Sequence, residues 1–270
     1  MKRWLLAVLL LTFPAAAQVN NIFTAGETLD FDLTWLSITG GGMRMTIGLV
    51  PNDPAHFRIT SIAKTSSSFA FIFKTRDVLT SIVNRDDFST VRYEKHLIEH
   101  SKSKDDITTI DEARKIATRQ RPKKTPQTVA VPKPVFDPLS LVYHLRALDL
   151  RPGSVQRFTV YADGKVYLLE ANVRRTETIG TPAGTFHAIV VEPKMLAGGL
   201  FRDEGSLTIW FTDDARHVPV RIRSELKVGS ITANLGRSIL GRLTRNRPPA
   251  AECRAAALGG HNRDRDGHLK

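Results

Sequence analysis

Cysteine is nearly missing from this 270-residue chain; Cys253 is the single copy. An intramolecular disulfide is therefore impossible, and so is a metal cluster built on thiolates. Stability must come from buried apolar surface, and the chain is long enough for one good core. Long apolar runs are also scarce. Trp4 to Phe13 is the longest, and its length suits a signal peptide rather than a bilayer-spanning helix. Acidic residues are in deficit: 39 Lys and Arg stand against 27 Asp and Glu, a formal net charge of +12.

What is present begins with the N-terminus, MKRWLLAVLLLTFPAAAQVN. Lys2 and Arg3 precede the apolar run, and Ala15-Ala16-Ala17 supplies an A-x-A cleavage site. Residues 1–17 are expected to be a signal peptide, with the mature chain starting at Gln18. No Cys stands at the cleavage site, which argues against a lipid anchor. The expected location is exported and periplasmic. That location redirects the meaning of the positive charge. Nucleic acid becomes a poor partner, and lipid or another anionic envelope component a better one.

From Leu29 to Asn234 the apolar pattern has mostly period two, the signature of half-buried strands. Met43, Met45, Ile47 and Leu49 alternate cleanly. Short β-branched runs recur at 57–64, 77–84, 155–161, 165–169, 186–191, 207–211 and 220–226. Turn signals fall between them: Gly40-Gly41-Gly42, Pro51-Asn52-Asp53-Pro54, and Ala162-Asp163-Gly164, whose Asp-Gly pair predicts a tight type I′ hairpin. One helix is predicted, over Pro138 to Leu148. Asp137 is its N-cap, Pro138 takes the first helical position and Arg151-Pro152-Gly153 follows its end. A second helical turn is expected at Ser67 to Phe73. Gln120 to Val135 holds four prolines and reads as a long basic loop. Gly241 to Lys270 lacks an apolar face and reads as a basic, disordered tail.

Three constellations suggest chemistry. His96-Leu97-Ile98-Glu99-His100 is H-x-x-E-H, an inverted zinc-peptidase signature. On a helix its two imidazoles would lie about 6 Å apart at Cβ and share one ion. On a strand they would lie about 13 Å apart, from four rises of about 3.3 Å, and could not. Turn signals at Asn84–Asp87 and Ser101–Asp106 frame the motif as a hairpin, so the strand is expected. Asp137, Ser140 and His144 are the residue set of a serine hydrolase, but no G-x-S-x-G turn accompanies them. Helix capping explains the first two more simply. Asp213-Asp214-Ala215-Arg216-His217 falls between two strand runs and reads as a hairpin tip.

Several stretches, in order, carry a family resemblance. They are Phe23-Thr24-Ala25-Gly26-Glu27-Thr28-Leu29, Trp35-Leu36-Ser37-Ile38-Thr39-Gly40-Gly41, Asp137-Pro138-Leu139-Ser140 with Leu145-Arg146, and Thr181-Pro182-Ala183-Gly184-Thr185-Phe186. They continue with Ile209-Trp210-Phe211-Thr212-Asp213-Asp214, His217-Val218-Pro219-Val220 and Val228-Gly229-Ser230-Ile231-Thr232-Ala233. Over roughly 22–240 the chain resembles the exported bacterial family called domain of unknown function 3108. The resemblance implies an envelope location and supplies no catalytic residues. The Trp210-x-x-x-Asp214 turn followed by Pro219-Val220-Arg221-Ile222 is also similar to lipoprotein-carrier proteins of the LolA and LolB type. That likeness implies a strongly curved open sheet with helices over its concave face.

The expected fold is therefore mainly β: one domain over 18–240, a large curved antiparallel sheet or half-open barrel, with one or two short helices over the concave face. A β-sandwich is the alternative. The expected function is non-enzymatic binding of an apolar or amphipathic, lipid-like ligand in the concavity, without a cofactor or metal. An envelope assembly factor binding a protein or polymer is the second reading, and a zinc peptidase or serine hydrolase the remote one. Arg121, Lys123, Lys124 and Lys133, placed at the mouth, and Trp35 and Trp210 are the residues expected to touch ligand or surface.

Overall fold

The computed structural model of the chain describes residues 22–23, 25–36, 38–67, 75–99, 102–196, 206–225 and 229–239. The expected signal peptide, the C-terminal tail, His100 and most of the expected turn at Ser67 to Phe73 lie outside the described residues.

A first meander runs through β1 (Glu27–Trp35), β2 (Ile38–Val50), β3 (Asp53–Thr65), β4 (Thr75–Asn84), β5 (Thr90–Glu99), β6 (Lys102–Asp111), β7 (Ile116–Gln120) and β8 (Gln127–Ala130). Helix α1 (Pro138–Arg146) then crosses to a second meander. Its strands are β9 (Val155–Ala162), β10 (Lys165–Thr181), β11 (Gly184–Met195), β12 (Leu207–Thr212), β13 (Pro219–Glu225) and β14 (Ser230–Ile239). The meanders are welded by one long antiparallel pairing of β1 with β14, Trp35 opposite Ile231 and Leu29 opposite Ser238. Together they form one fourteen-stranded sheet with β8 and β9 at its edges. The curved, unclosed antiparallel sheet is the expected architecture, and the sandwich alternative falls.

The sheet closes by overlap, like a scroll. Ser81 and Tyr93 are cross-strand partners, as are Tyr93 and Thr108, so they share the face that Ser81 turns toward α1. Ile110 and Ala117 lie on that same face. On β9 and β10, Phe158 and Leu169 also pack with α1, whereas the neighbouring pair Tyr161 and Val166 point the opposite way. Yet Tyr161 and Val166 pack against Ile110 and Ala117. The back of the β9–β10 hairpin thus rests on the inner face of β6 and β7. Backbone bonds stitch the seam: Phe136 N–H donates to Thr159 O at 3.0 Å, Tyr161 N–H to Phe136 O at 2.8 Å, and Thr90 N–H to Val135 O at 2.9 Å.

Helix α1 fills the scroll. Leu139 and Tyr143, one turn apart, join a cluster with Leu29, Phe31, Ile47 and Ile59. Leu141 and Leu145 join a second, with Phe158, Leu169, Ile209 and Phe211. Each fully buried side chain of this kind contributes about 1.5–3 kcal/mol of transfer free energy. The N-terminus has the predicted chemistry. Asp137 Oδ1 accepts from Leu139 N–H at 2.8 Å and Ser140 N–H at 3.0 Å, and Ser140 Oγ accepts from Asp137 N–H at 2.9 Å, a capping box. The helix ends at Arg146, two residues before the predicted Leu148, because Ala147 N–H turns back to His144 O at 2.9 Å.

Two sequence expectations need correction, and one alternating residue is exposed. Gln120 to Val135 is not one loop: Gln127–Ala130 is the edge strand β8, paired with β7. Its four residues sit between Pro126 and Pro132, and an edge strand tolerates flanking prolines. Gly40-Gly41-Gly42 is not a turn but lies inside β2. A Cβ on Gly41 would stand 2.5 Å from the Lys64 carbonyl oxygen, so the glycine permits close strand approach. Leu49 alternates with Ile47 but is exposed, because it sits at the sheet's rim beside a register shift. The Asp163-Gly164 hairpin forms as predicted, with φ of 51° and 88°.

Candidate functional site

The H-x-x-E-H motif runs along a strand. His96 lies in β5 between Val78 of β4 and Asp105 of β6, and its Nδ1 pairs with the Asp105 carboxylate. His100 lies outside the described residues. The helix constellation is structural. Asp137 is fully buried, and its Oδ2 accepts from Ser81 Oγ at 2.5 Å and Thr90 Oγ1 at 2.8 Å. Burial pushes its pKa up, against the pull of these donors. His144 does not face Ser140 as a base; its Nδ1 meets Asp87 O at 2.6 Å, and its ring packs on Phe136 and Phe158. Burial lowers its pKa and favours the neutral imidazole.

Elsewhere, at the β13–β14–β1–β2 rim of the sheet, large apolar side chains face solvent. Trp35, Ile38 and Ile231 are cross-strand neighbours on β1, β2 and β14, and with Leu36 at the tip they are 41–56 % exposed. Alternation places Trp35 on the same face as buried Phe31, so the core's apolar stripe runs out to the rim. On the sheet's other face, sharing the Leu36 tip, opens a cleft of about 640 Å³ lined by Leu36, Trp210, Arg221, Arg223, Thr232 and Asn234, among others.

Trp210 and Arg221 are register partners on β12 and β13. Ile209 and Phe211 face α1, so Trp210 faces outward, where the far end of β10 covers it. A register shift at Val173/Arg175 bends β10 into that position. Trp210 Nε1 donates to Glu177 Oε1 at 2.5 Å, which holds that carboxyl below its usual range. The Arg221 guanidinium lies 5.7 Å from the Trp210 ring centroid and donates to Asn234 Oδ1 at 2.7 Å and Gly180 O at 2.6 Å. Arg223 is half exposed and stands 3.6 Å from Glu225. Guanidinium groups beside an indole wall suit an anionic headgroup joined to an apolar body.

The model of the family described as protein of unknown function (DUF3108) matches residues 30–236. The chain belongs to the DUF3108 family. Among solved structures, this DUF3108 chain resembles a beta-barrel-like protein of domain of unknown function DUF1849 from Brucella abortus. The TM-score is 0.58 at 10 % identity, over 82 % of this chain and 99 % of that one. That is a likeness of fold alone. A protein with a YmcC-like fold from Bacteroides fragilis matches with a TM-score of 0.35 and 11 % identity, over 80 % of this chain and 97 % of that one, and carries no argument. No curated protein matches.

The structure divides the predicted contact residues of this DUF3108 chain. Trp35 and Trp210 come to the same end: Leu36 lines the cleft with Trp210, and Trp35 Nε1 lies against Gly229 in its wall. Arg121, Lys123 and Lys124 sit on the β7–β8 connection, seven strands away in the ladder. Lys133 is at the opposite rim, bound to Glu112, and its placement with the other three at a mouth is corrected. The concavity itself is occupied by α1. Sequence reasoning missed Arg221, Arg223 and Glu177. Arg221 and Arg223 alternate with Val220 and Ile222, the one signal that could have placed them together. Among the described residues, no helix is long and apolar enough to cross a membrane.

Proposed function

We propose that the protein is an exported, non-enzymatic binding protein of the cell envelope. Its ligand is amphipathic and anionic, with a phosphate or carboxylate head at Arg221 and Arg223 and an apolar body against Trp210 and Leu36. One observation supports the reading: Leu36, at the tip of the exposed group of Trp35, Ile38 and Ile231, also lines a cleft on the sheet's other face that holds two arginines. Because α1 fills the interior, this reading assigns the ligand to the cleft and rim instead of the concave face expected from the sequence.

The chain has three tryptophans, Trp4, Trp35 and Trp210. With the leader removed, the two that remain flank the cleft, so intrinsic fluorescence reports on it directly. Titration with lysophosphatidylglycerol below its micellar concentration should give a saturable emission shift. Lysophosphatidylcholine should bind at least tenfold more weakly, and Arg221→Gln/Arg223→Gln should erase the difference. No saturable shift with either lipid, or equal affinity for both, overturns the reading.

A further inference from the structure

We infer that one rim of the scroll is a docking surface for an anionic lipid bilayer. Antiparallel order sends the β1–β2, β3–β4, β5–β6, β7–β8, β9–β10, β11–β12 and β13–β14 connections to one rim, and the β2–β3, β4–β5, β6–β7, β10–β11 and β12–β13 connections to the other. The two rims differ in chemistry. Trp35, Leu36, Ile38, Leu196 and Ile231, most of the large apolar side chains exposed among the described residues, stand at or beside the first. At the second, Leu49 and Val155 are the exposed large apolar residues.

Charge separates the rims in the same sense. The described turns of the first carry Arg121, Lys123 and Lys124 against one carboxylate, Asp163, while at its strand ends Lys102 is opposite Glu99 and Arg223 is near Glu225. Asp163 is already held by Lys95 and Arg119. The turns of the second are balanced: Asp86, Asp87, Glu112, Asp213 and Asp214 face basic residues there in similar number. Lys123 and Lys124 are exposed, and Lys123 has a φ of 58° at the turn's apex.

An indole and branched aliphatic side chains beside lysines are the composition that settles at the headgroup level of a bilayer. A protein partner would match the apolar patch but would not require the lysines across the ring. A flat anionic surface contacts both at once. Strand axes would then stand across the membrane plane, with the cleft of Arg221 and Arg223 opening at the surface. This docking does not depend on the cleft's holding a ligand.

The test is co-sedimentation of the mature chain with vesicles of phosphatidylcholine alone or with 30 % phosphatidylglycerol, at low and high salt. Binding to the mixed vesicles is expected, weakened by salt. Lys123→Gln/Lys124→Gln should lower the partition coefficient at low salt on the order of twentyfold, about fivefold per charge, and by less at high salt. Ile38→Ser/Ile231→Ser should lower it at both. Lys115→Glu, an exposed charge change at the opposite rim, should leave it unaltered. Arg221→Gln/Arg223→Gln should keep vesicle binding while losing lysolipid discrimination, which separates this proposal from the cleft's. Absence of binding, or equal loss with Lys115→Glu, overturns the docking. So does a dimer in vesicle-free solution that Ile38→Ser/Ile231→Ser dissolves, because the rim is then a protein interface. Circular dichroism of each variant confirms that it is folded.

Discussion

Arg146 grips Glu27 with both ends of its guanidinium, Nη1 to Oε1 at 2.5 Å and Nη2 to Oε2 at 2.9 Å, where the pair is 0 % and 3 % exposed. The last turn of α1 is thereby tied to the start of β1. The guanidinium also lies 4.4 Å from the Phe23 ring centroid and 5.3 Å from that of Tyr143, and its Nε donates to Arg216 O at 3.2 Å. Desolvating both charges costs nearly what their attraction returns, but stranding one of them is severe. Glu27→Gln and Arg146→Met should each lose about 3–5 kcal/mol in urea unfolding. The double variant should lose less than the sum. Simple additivity would show that the two side chains act independently.

Asp137 gives stability a pH dependence of known sign. Burial raises its folded pKa above the ordinary carboxylate value, so the folded state holds the proton over a window where the unfolded state has lost it. Its contribution is therefore largest at low pH and falls as pH rises through that window. Asp137→Asn keeps an acceptor for the Leu139 and Ser140 amides and removes the titration. The difference in unfolding free energy between wild type and variant should shift in the variant's favour from about pH 4 upward, the ordinary Asp value. A difference that is flat with pH would refute this. Asp137→Ala should cost about 0.5–2 kcal/mol for the cap alone, and more because Ser81 and Thr90 lose their acceptor.

The seam is held by a charge cluster that joins three strands to the β9–β10 tip. Arg119 Nε donates to Asp106 Oδ2 at 2.7 Å, and its Nη1 to Asp163 O at 2.6 Å. Lys95 bonds Asp163 and lies 3.8 Å from Asp106. The Asp106 hydrogen bond, first, holds the Arg119 pKa above its usual value. Arg119→Gln should cost on the order of 3 kcal/mol, since it leaves Asp106 short of its partner in a mostly buried place. Amide exchange should rise in β9 and in the first residues of β10, with β12–β14 unchanged. Uniform change across the sheet would contradict a local clasp.

Two glycines of β2 make opposite predictions. A Cβ on Gly41 meets the Lys64 backbone at 2.5 Å, whereas one on Gly48 meets nothing within 4 Å. Gly41→Ala should lose about 1–3 kcal/mol, the usual penalty for overpacking. Gly48→Ala should be neutral or gain about 0.4–1 kcal/mol through the unfolded chain. Thermal melts of the two variants, compared side by side, decide the matter.

Local chemistry made part of this fold legible. Asp137, Pro138 and Ser140 announce a helix start through interactions three residues apart, and Asp163-Gly164 announces its hairpin through two adjacent φ angles. Strand existence followed from alternation wherever one face was buried. The signal failed where tertiary context took over. Gly40–Gly42 imitates a turn because glycine serves close strand approach as well as tight bends. β8 hid between prolines because an edge needs only one ladder. β10 was read only as far as Leu169, although Ala171 and Val173 continue its buried face; only beyond Val173 does a register shift break the alternation. The Glu27–Arg146 pair joins residues 119 apart, and no local pattern can announce it. The cleft was half legible: its tryptophans stand out by type, while Arg221 and Arg223 look like any arginines on a strand.

Closure by overlap has a bearing on how such chains diversify. In a closed barrel, strand number and stagger fix the girth together, so gaining or losing one strand resets every neighbour. Here β8 ends in solvent and β9 lies beneath β7 without sharing a ladder with it. A hairpin gained beyond β8 would lengthen the lap and leave the pairing of β1 to β7 untouched. Loss of β8 would shorten the lap at the same small cost. Length variation among relatives should therefore gather at this one margin, while the β1–β14 weld keeps its register.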